Sequence, residues 1–416
     1  MTVYEISELI ELVRVKSPFY RALYKNVGAK PSLKDLPVLE SSAFWQANGV
    51  EKNQVLTDRH TDGIVFKSGG TTGNPKFSFF TKEEWETFTE AFGEGMTKGG
   101  LKAGEKIANL FYAGDLYASF LFIMKSIEAA QVPVIHFPLG GAAEILNVIK
   151  TLKDFNIDVW AGVPTNLMKL AEEVVREKAS YPRKILFGGE SFYPDQREHL
   201  LKLFPGVTIQ SIGYASVDGG LLGFVDPKCT PGEHRVFSDQ TIIEILDEET
   251  GEPIEEVGKV GKVVLTNLTR LLMPIIRYPA GDLAAWVEPS SVQKYRKFII
   301  HGRSEEGARI GPVTLYYDDV AQFLIQFRAE LESSGFQMVI KHFAQKDQLI
   351  LRIATQKGSP ALRKKIQTDL LRERHLIQES IDKDLIHPVE IEFVEASQLI
   401  FQARTGKLRR LIDERF

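Results

Sequence analysis

The run Lys67-Ser68-Gly69-Gly70-Thr71-Thr72-Gly73-Asn74-Pro75-Lys76 gathers three glycines, three hydroxyls and a lysine at each end. Glycines let a backbone approach an anion closely and turn its N–H groups toward phosphate oxygens. Ser68, Thr71 and Thr72 add hydroxyl donors, and Lys76 adds a full positive charge. A Walker A loop needs G-x-x-x-x-G-K-[ST] leading into a helix. Here Asn-Pro separates Gly73 from Lys76, and the strand-like FSFF follows. The run therefore reads as a phosphate cradle of a different kind. In isolation a Ser/Gly/Thr turn between two strands would serve as well.

Four later segments also hold chemically useful groups: Gly213-Tyr214-Ala215-Ser216-Val217-Asp218-Gly219, Arg277-Tyr278-Pro279-Ala280-Gly281-Asp282, Gly302-Arg303-Ser304-Glu305-Glu306 and Arg404-Thr405-Gly406-Lys407. With the glycine-rich run they resemble, in order, five motifs of the adenylate-forming enzymes: the acyl-CoA synthetase, luciferase and nonribosomal-peptide adenylation superfamily. The counterparts are the phosphate loop, Tyr-Gly-x-x-Glu, Arg-x-x-Gly-Asp, the Gly-Arg-x-Asp-Asp hinge and the C-terminal Gly-Lys. The N-terminal stretch SPFYRALYKNVGAKPSLKDLPVLESSAF is similar to the helical entry of phenylacetate-CoA ligases, and the compact length fits that branch.

The resemblance implies ATP, magnesium and coenzyme A as cofactors and co-substrates. It implies that Ser68, Gly69, Gly70, Thr71, Thr72, Gly73 and Lys76 hold the β- and γ-phosphates, with Thr72 and Asp218 near the metal. Asp218 stands where the family usually has Glu; being one methylene shorter, it could act through a water. Tyr214 would stack on adenine, flanked by Gly213, Ala215 and Ser216, and Gly189-Glu190 would border the base. Asp282 would accept both ribose hydroxyls, although Ala280 replaces a usual Thr. Arg303 would contact ribose or phosphate, Glu305 or Glu306 would pivot, and Lys407 would bridge the carboxylate and the α-phosphate. Each also has a plainer reading: a sheet tyrosine, a loop acid, a turn aspartate, a lysine in a basic tail.

Phe111-Tyr112-Ala113-Gly114-Asp115-Leu116 lies where relatives face the acyl group, so Tyr112, Ala113, Gly114 and Asp115 are substrate candidates. Asp115 could meet a polar substituent, but capping the helix at 117–130 is the better reading. His136 and Trp160 sit on buried strand patterns and read as core. Cys229, His234 and Asp239 offer too few ligands for a zinc site.

These residues need a scaffold. From about residue 64 to 300, β-rich runs (IANLFY, VPVIHF, DVWAG, KILFGGE) alternate with helical patterns at 117–130, 142–155 and 165–178, which predicts an α/β domain with a largely parallel sheet. Beyond 235 the pattern becomes strands and turns, DEETGE reading as a hairpin. After 303, helices at 318–334 and 360–380 and strands QMVIKHF, QLILRIAT and VEIEFVEA predict a small α+β unit of about 110 residues. The expected fold is thus α/β: a large adenylate-forming N-terminal domain (1–302) and a small mobile C-terminal lid (303–416) carrying the Gly-Lys motif.

Composition bounds the rest. Among 416 residues, 51 Lys+Arg against 55 Asp+Glu give a net charge of −4, which offers no general attraction to nucleic acid or an anionic membrane. One cysteine rules out an internal disulfide framework. With no signal-peptide core and no apolar span of the roughly 18 residues a bilayer requires, a soluble cytoplasmic enzyme is expected. The expected reaction is ATP-dependent activation of an aryl or arylacetic acid to an acyl adenylate, then transfer to coenzyme A; an oligomer would be compatible. A carrier-protein thiol or an amine is the alternative acceptor, and a decayed nucleotide-binding regulator is the alternative of another class.

Overall fold

A computed structural model describes residues 3–68, 76–292, 294–303, 307–331, 335–401 and 408–415. Its centre is a five-stranded parallel sheet in the order Ile135–Pro138, Lys106–Asn109, Val159–Gly162, Lys184–Phe187, Thr208–Ser211. The inner strands VWAG and KILF are buried at every position, as strands covered on both faces must be. Alternate residues serve different cores. Val159, Ala161 and Leu186 join Phe88, Phe92 and Phe122 from helices Lys82–Lys98 and Ser119–Glu128. Trp160 and Ile185 join Val148, Leu167 and Leu200 from helices Ile145–Asp154, Pro164–Arg176 and Pro194–Leu203. His136 departs from the core reading: it lies half-buried on the edge strand, which has one neighbour, while Trp160 is fully buried.

The helix Lys82–Lys98 starts at a reciprocal cap. Thr81 Oγ1 accepts the Glu84 N–H at 3.1 Å, and Glu84 Oε2 accepts the Thr81 N–H at 2.9 Å. The other Glu84 oxygen accepts the N–H groups of Leu271 (2.6 Å) and Leu272 (2.8 Å), so one buried carboxylate ties the helix start to the second sheet.

That second sheet is antiparallel and has seven strands, in the order Thr241–Leu246, Val260–Asn267, Tyr278–Trp286, Lys297–Arg303, Glu233–Val236, Gly220–Phe224, Tyr214–Ser216. It begins at 214, earlier than the change of pattern beyond 235 suggested. DEETGE is a turn: the Gly251 N–H reaches Asp247 O at 2.9 Å, and the chain returns along the strand with Ile254 N bonded to Ile245 O. N-terminal helices Ile6–Lys16, Pro18–Leu23 and Ser41–Ala47 cover this sheet through Leu9, Tyr20 and Phe44 against Leu265, Ile275 and Phe298.

The strands expected on either side of the glycine-rich run pair with each other. Ile64–Ser68 and Lys76–Phe80 form an antiparallel hairpin with Ser68 opposite Lys76. In the C-terminal region a four-stranded mixed sheet runs Glu390–Val394, Lys346–Ala354, Gly335–Phe343, Leu411–Asp413. Helices Pro360–Glu373 and His375–Asp382 bury Ile366, Leu370 and Ile377 against it. The helix expected at 360–380 is broken at Arg374, whose backbone (φ −112°, ψ 60°) is not helical. The helix expected at 318–334 spans Tyr317–Leu324 before tightening into short turns.

Candidate active site

The hairpin delivers Ser68 and Lys76 to the end of the antiparallel sheet. Ser68 Oγ donates to Asp218 Oδ1 at 2.5 Å, and Ser78 Oγ lies 3.3 Å from the same oxygen. Residues 150 apart in sequence are thereby joined where the described part of the first hairpin strand ends. Gly69, Gly70, Thr71, Thr72 and Gly73 lie outside the described residues, as do Glu305, Glu306 and Lys407. The magnesium implied by the resemblance suits what is present: a carboxylate flanked by two hydroxyls is a hard-oxygen donor set, suited to a cation that takes few protein ligands and substrate phosphates.

Arg270 underlies this junction and was not singled out from the sequence. Its guanidinium donates to Asp218 O (2.6 Å) and Phe79 O (3.1 Å) and stacks 4.0 Å over the Phe80 ring. It therefore rivets the Asp218 turn to the loop hairpin. Burial pulls its pKa down to about 10, with the charges of Glu84 and Asp218 opposing, so it stays cationic at neutral pH. Its sequence setting, Asn-Leu-Thr-Arg-Leu-Leu, carries no signal of this; only tertiary pairing does.

Tyr214 and Asp282, from separate motifs, meet directly: the Tyr214 hydroxyl donates to Asp282 Oδ2. The tyrosine ring lies 5.9 Å from the His234 ring and 6.2 Å from that of Phe298. Gly213 precedes it at φ +136°, and a Cβ there would come within 2.7 Å of the Phe92 ring, so the approach needs glycine. Ala215 and Ser216 continue the strand, and Ser216 Oγ accepts the Gly219 N–H at 2.9 Å, closing the turn that presents Asp218. Asp282 stands opposite Arg303 in the sheet register, which brings the hinge motif beside the ribose candidate. Arg277 is occupied elsewhere: it pairs bidentately with Glu244 at 2.9 Å and donates to Leu36 O.

Gly189 turns at φ +78°, and Glu190 points back into the body. Its carboxylate accepts the Thr165 N–H and hydroxyl, each at 3.1 Å, at the start of helix Pro164–Arg176. Burial raises its pKa, and the positive charge of Arg309 opposes that. Tyr112 donates to Asn166 Oδ1 at 2.7 Å, Asn166 donates to Gly141 O at 3.1 Å, and burial pushes the phenol up to about 12. Ala113 and Gly114 are exposed. Asp115 does not cap a helix. The helix starts at Ser119 after Ala118, with no side-chain cap, while Asp115 (φ 48°) ion-pairs with Lys67 at 2.5 Å. The acyl candidates are thus fastened to the phosphate hairpin.

Cys229, His234 and Asp239 disperse. Cys229 Sγ faces Asp226 at 3.5 Å, Asp239 pairs with Lys294 at 2.8 Å, and no trio of potential metal ligands occurs among the described residues. His234 is instead a buried prop behind Tyr214. A carbonyl only accepts, so Nδ1 donates to Gly232 O (3.2 Å) and Nε2 accepts from Ser211 Oγ (3.0 Å). Burial lowers its pKa from 6.5 to about 4. The unfolded chain therefore binds this proton more readily. Its stabilising contribution is complete above pH 6.5 and is lost as pH falls toward 4, about 2–3 kcal/mol by pH 4.5. Thermal unfolding at pH 7 and 4.5 is expected to show a smaller acid loss for His234→Gln than for the parent. An identical loss would remove His234 as the cause.

No protein-family profile matches the chain. It is 25% identical over 446 aligned positions to a phenylacetate-coenzyme A ligase of Thermus thermophilus, covering 99% of this chain and 95% of that one. A second, from Aromatoleum evansii, is 25% identical over 418 positions, covering 96% and 90%. Among solved structures, 2-hydroxyisobutyryl-CoA ligase with 2-HIB-AMP and CoA in the thioesterification state superposes with a TM-score of 0.75 at 19% identity, over 98% of this chain and 87% of that. The same enzyme in its postadenylation state gives 0.63. Along nearly its whole length the chain is thus similar in sequence to phenylacetate-CoA ligases, and it shares the fold of 2-hydroxyisobutyryl-CoA ligase.

Proposed function

We propose that the protein is an AMP-forming acid–thiol ligase that activates an aryl or arylacetic acid with ATP and passes the acyl group to coenzyme A. The observation that carries this reading is the meeting of separate motifs at one edge of the antiparallel sheet: Ser68 on Asp218, Tyr214 on Asp282, and Asp282 opposite Arg303.

A carboxylate oxygen attacks the α-phosphorus and pyrophosphate leaves; the thiol then loses its proton, its sulfur attacks the acyl carbonyl, and AMP leaves. Asp282 fixes the ribose, and the loop hydroxyls with Lys76 hold the outer phosphates. Asp218 and Thr72 would hold magnesium, which would supply positive charge against the phosphates. Lys407 offsets charge at the α-phosphate, and Arg303 contacts the nucleotide. Residues 303–416 act as a lid that turns about 303–306, presenting Lys407 first and an acceptor route second. Lys76 supports such a turn: its ammonium lies 4.3 Å over the ring of Tyr316, on the lid side, and 5.4 Å over that of Trp45, so this contact changes when the lid turns. The closer superposition on a thioesterification state supports assigning the lid orientation seen here to the second step.

The test is ATP–pyrophosphate exchange across aryl, arylacetic and fatty acids, followed by thioester analysis with free coenzyme A. Exchange with aromatic acids and thioester formation are expected. Exchange without thioester would move the acceptor to a carrier thiol or an amine. ATP binding without exchange for any acid would leave a nucleotide-binding regulator.

A further inference from the structure

Apart from the Lys76–Tyr316 contact, several contacts that join the two sides of the hinge converge on one spot outside the motifs above. The turn of the lid hairpin, Phe343-Ala344-Gln345-Lys346, with positive φ at Ala344 and Gln345, sits on the first turn of body helix Pro194–Leu203. Asp195 Oδ2 accepts the Gln345 N–H at 3.0 Å, and Gln196 Nε2 donates to Gln345 O at 3.0 Å. His342 has one ring nitrogen 3.1 Å from Asp195 Oδ1 and the other 2.7 Å from Asp347 Oδ1, with its ring 3.9 Å from that of Tyr193.

The lid half of this seat is built without the body. Arg415 donates to Asp347 Oδ2 and to Asp413 at 2.7 Å each, and the Gly311 N–H reaches Asp347 Oδ2 at 3.0 Å. The His342 and Asp347 side chains are 8% and 7% exposed, whereas that of Asp195 is 42% exposed. Asp195 therefore contributes little to either core, yet takes two directional contacts from across the hinge.

We propose that Asp195 is a positioning residue that seats the lid, through His342 and Gln345, in the orientation for acyl transfer to the thiol. This rests on the two-step reading above. Any turn of residues 303–416 against the body breaks these contacts, since their partners lie on opposite sides of the pivot. They lower the free energy of this orientation alone, and a contact made in one of two states shifts the population by its differential strength. Asp195 touches neither nucleotide nor acyl candidates, so adenylation does not depend on it.

The experiment separates the half-reactions in the full chain. With acyl adenylate supplied, thioester formation by Asp195→Ala and by His342→Gln is expected to fall about tenfold, while ATP–pyrophosphate exchange stays at the parental rate or rises. The double variant should be no slower than the worse single one, because the two residues share a contact. Equal loss in both half-reactions, or none in either, overturns the proposal. A parent without exchange for any acid would instead refute the two-step reading. The seat is then decided by spin-label distances between Glu177→Cys and Lys364→Cys in a Cys229→Ser background. Asp195→Ala is expected to broaden that distribution, and an unchanged one overturns the seat.

Discussion

Lys407→Ala is expected to lower carboxylate-dependent ATP–pyrophosphate exchange by about 10²–10³-fold, the usual loss when one preorganised donor at a developing charge is removed. Two anions approach each other in the adenylation step, and no other group on the lid side is assigned to offset their repulsion. Lys407 itself lies outside the described residues, but both ends of its segment are fixed. Phe401 pairs with Leu408, the Arg409 N–H reaches Ile400 O at 3.0 Å, and Gln337 Nε2 donates to both Ile400 O and Arg409 O at 2.7 Å. Gln337 is fully buried, so this base is a rigid part of the lid sheet. The residues on either side of 402–407 are thus anchored to the C-terminal sheet. Lys407→Ala should spare thioester formation from supplied acyl adenylate, the inverse of the Asp195→Ala pattern. Lys407→Arg should recover little, since a planar fork does not replace a point charge. Full exchange in Lys407→Ala would remove the lysine from the chemistry.

Much of the scaffold was legible because local periodicity reports it. The runs VWAG and KILF are short and wholly apolar apart from one lysine, and they became the buried inner strands of the parallel sheet. Strand-like runs were legible on either side of the glycine-rich run; that they pair with each other is shown by the structure. What stayed illegible was set by register and tertiary contact. Tyr214-Ala215-Ser216 is too short to show a period, so the antiparallel sheet began earlier than its pattern did. Asp115 looked like a cap because caps are chosen by sequence neighbours, whereas its partner Lys67 comes from a strand 48 residues away. Arg270 is the clearest case. A lone arginine among apolar residues usually implies solvent, yet here three backbone carbonyls and an aromatic face receive it. Tyr214 likewise reads as a stacking ring in its motif. Only the sheet reveals that its hydroxyl first orients Asp282.

That last contact shapes the other large expected effect. Asp282→Ala should raise the KM for ATP by about 10²–10⁴-fold, since hydrogen bonds to a charged acceptor contribute about 1.5–3 kcal/mol each and the proposed role has two ribose hydroxyls donating to it. Asp282 is well placed for such a role. Gly281 at φ +78° precedes it, the strand register shifts just beyond it between Leu283 and Ala284, and Tyr214 holds one oxygen in place. Asp282→Asn keeps the shape but can accept at one atom only, so an intermediate loss is expected. Tyr214→Phe leaves the carboxylate but frees its rotamer, for a smaller rise. Nucleotide analogues make the assignment specific. The parent should bind 2′-deoxy- and 3′-deoxy-ATP more weakly than ATP, while Asp282→Ala should scarcely distinguish the three, because its ribose contacts are already gone. A general defect in folding or in the phosphate loop would weaken all three nucleotides yet preserve their ranking. Preserved ranking in Asp282→Ala, or an unchanged KM, would move ribose recognition to another residue.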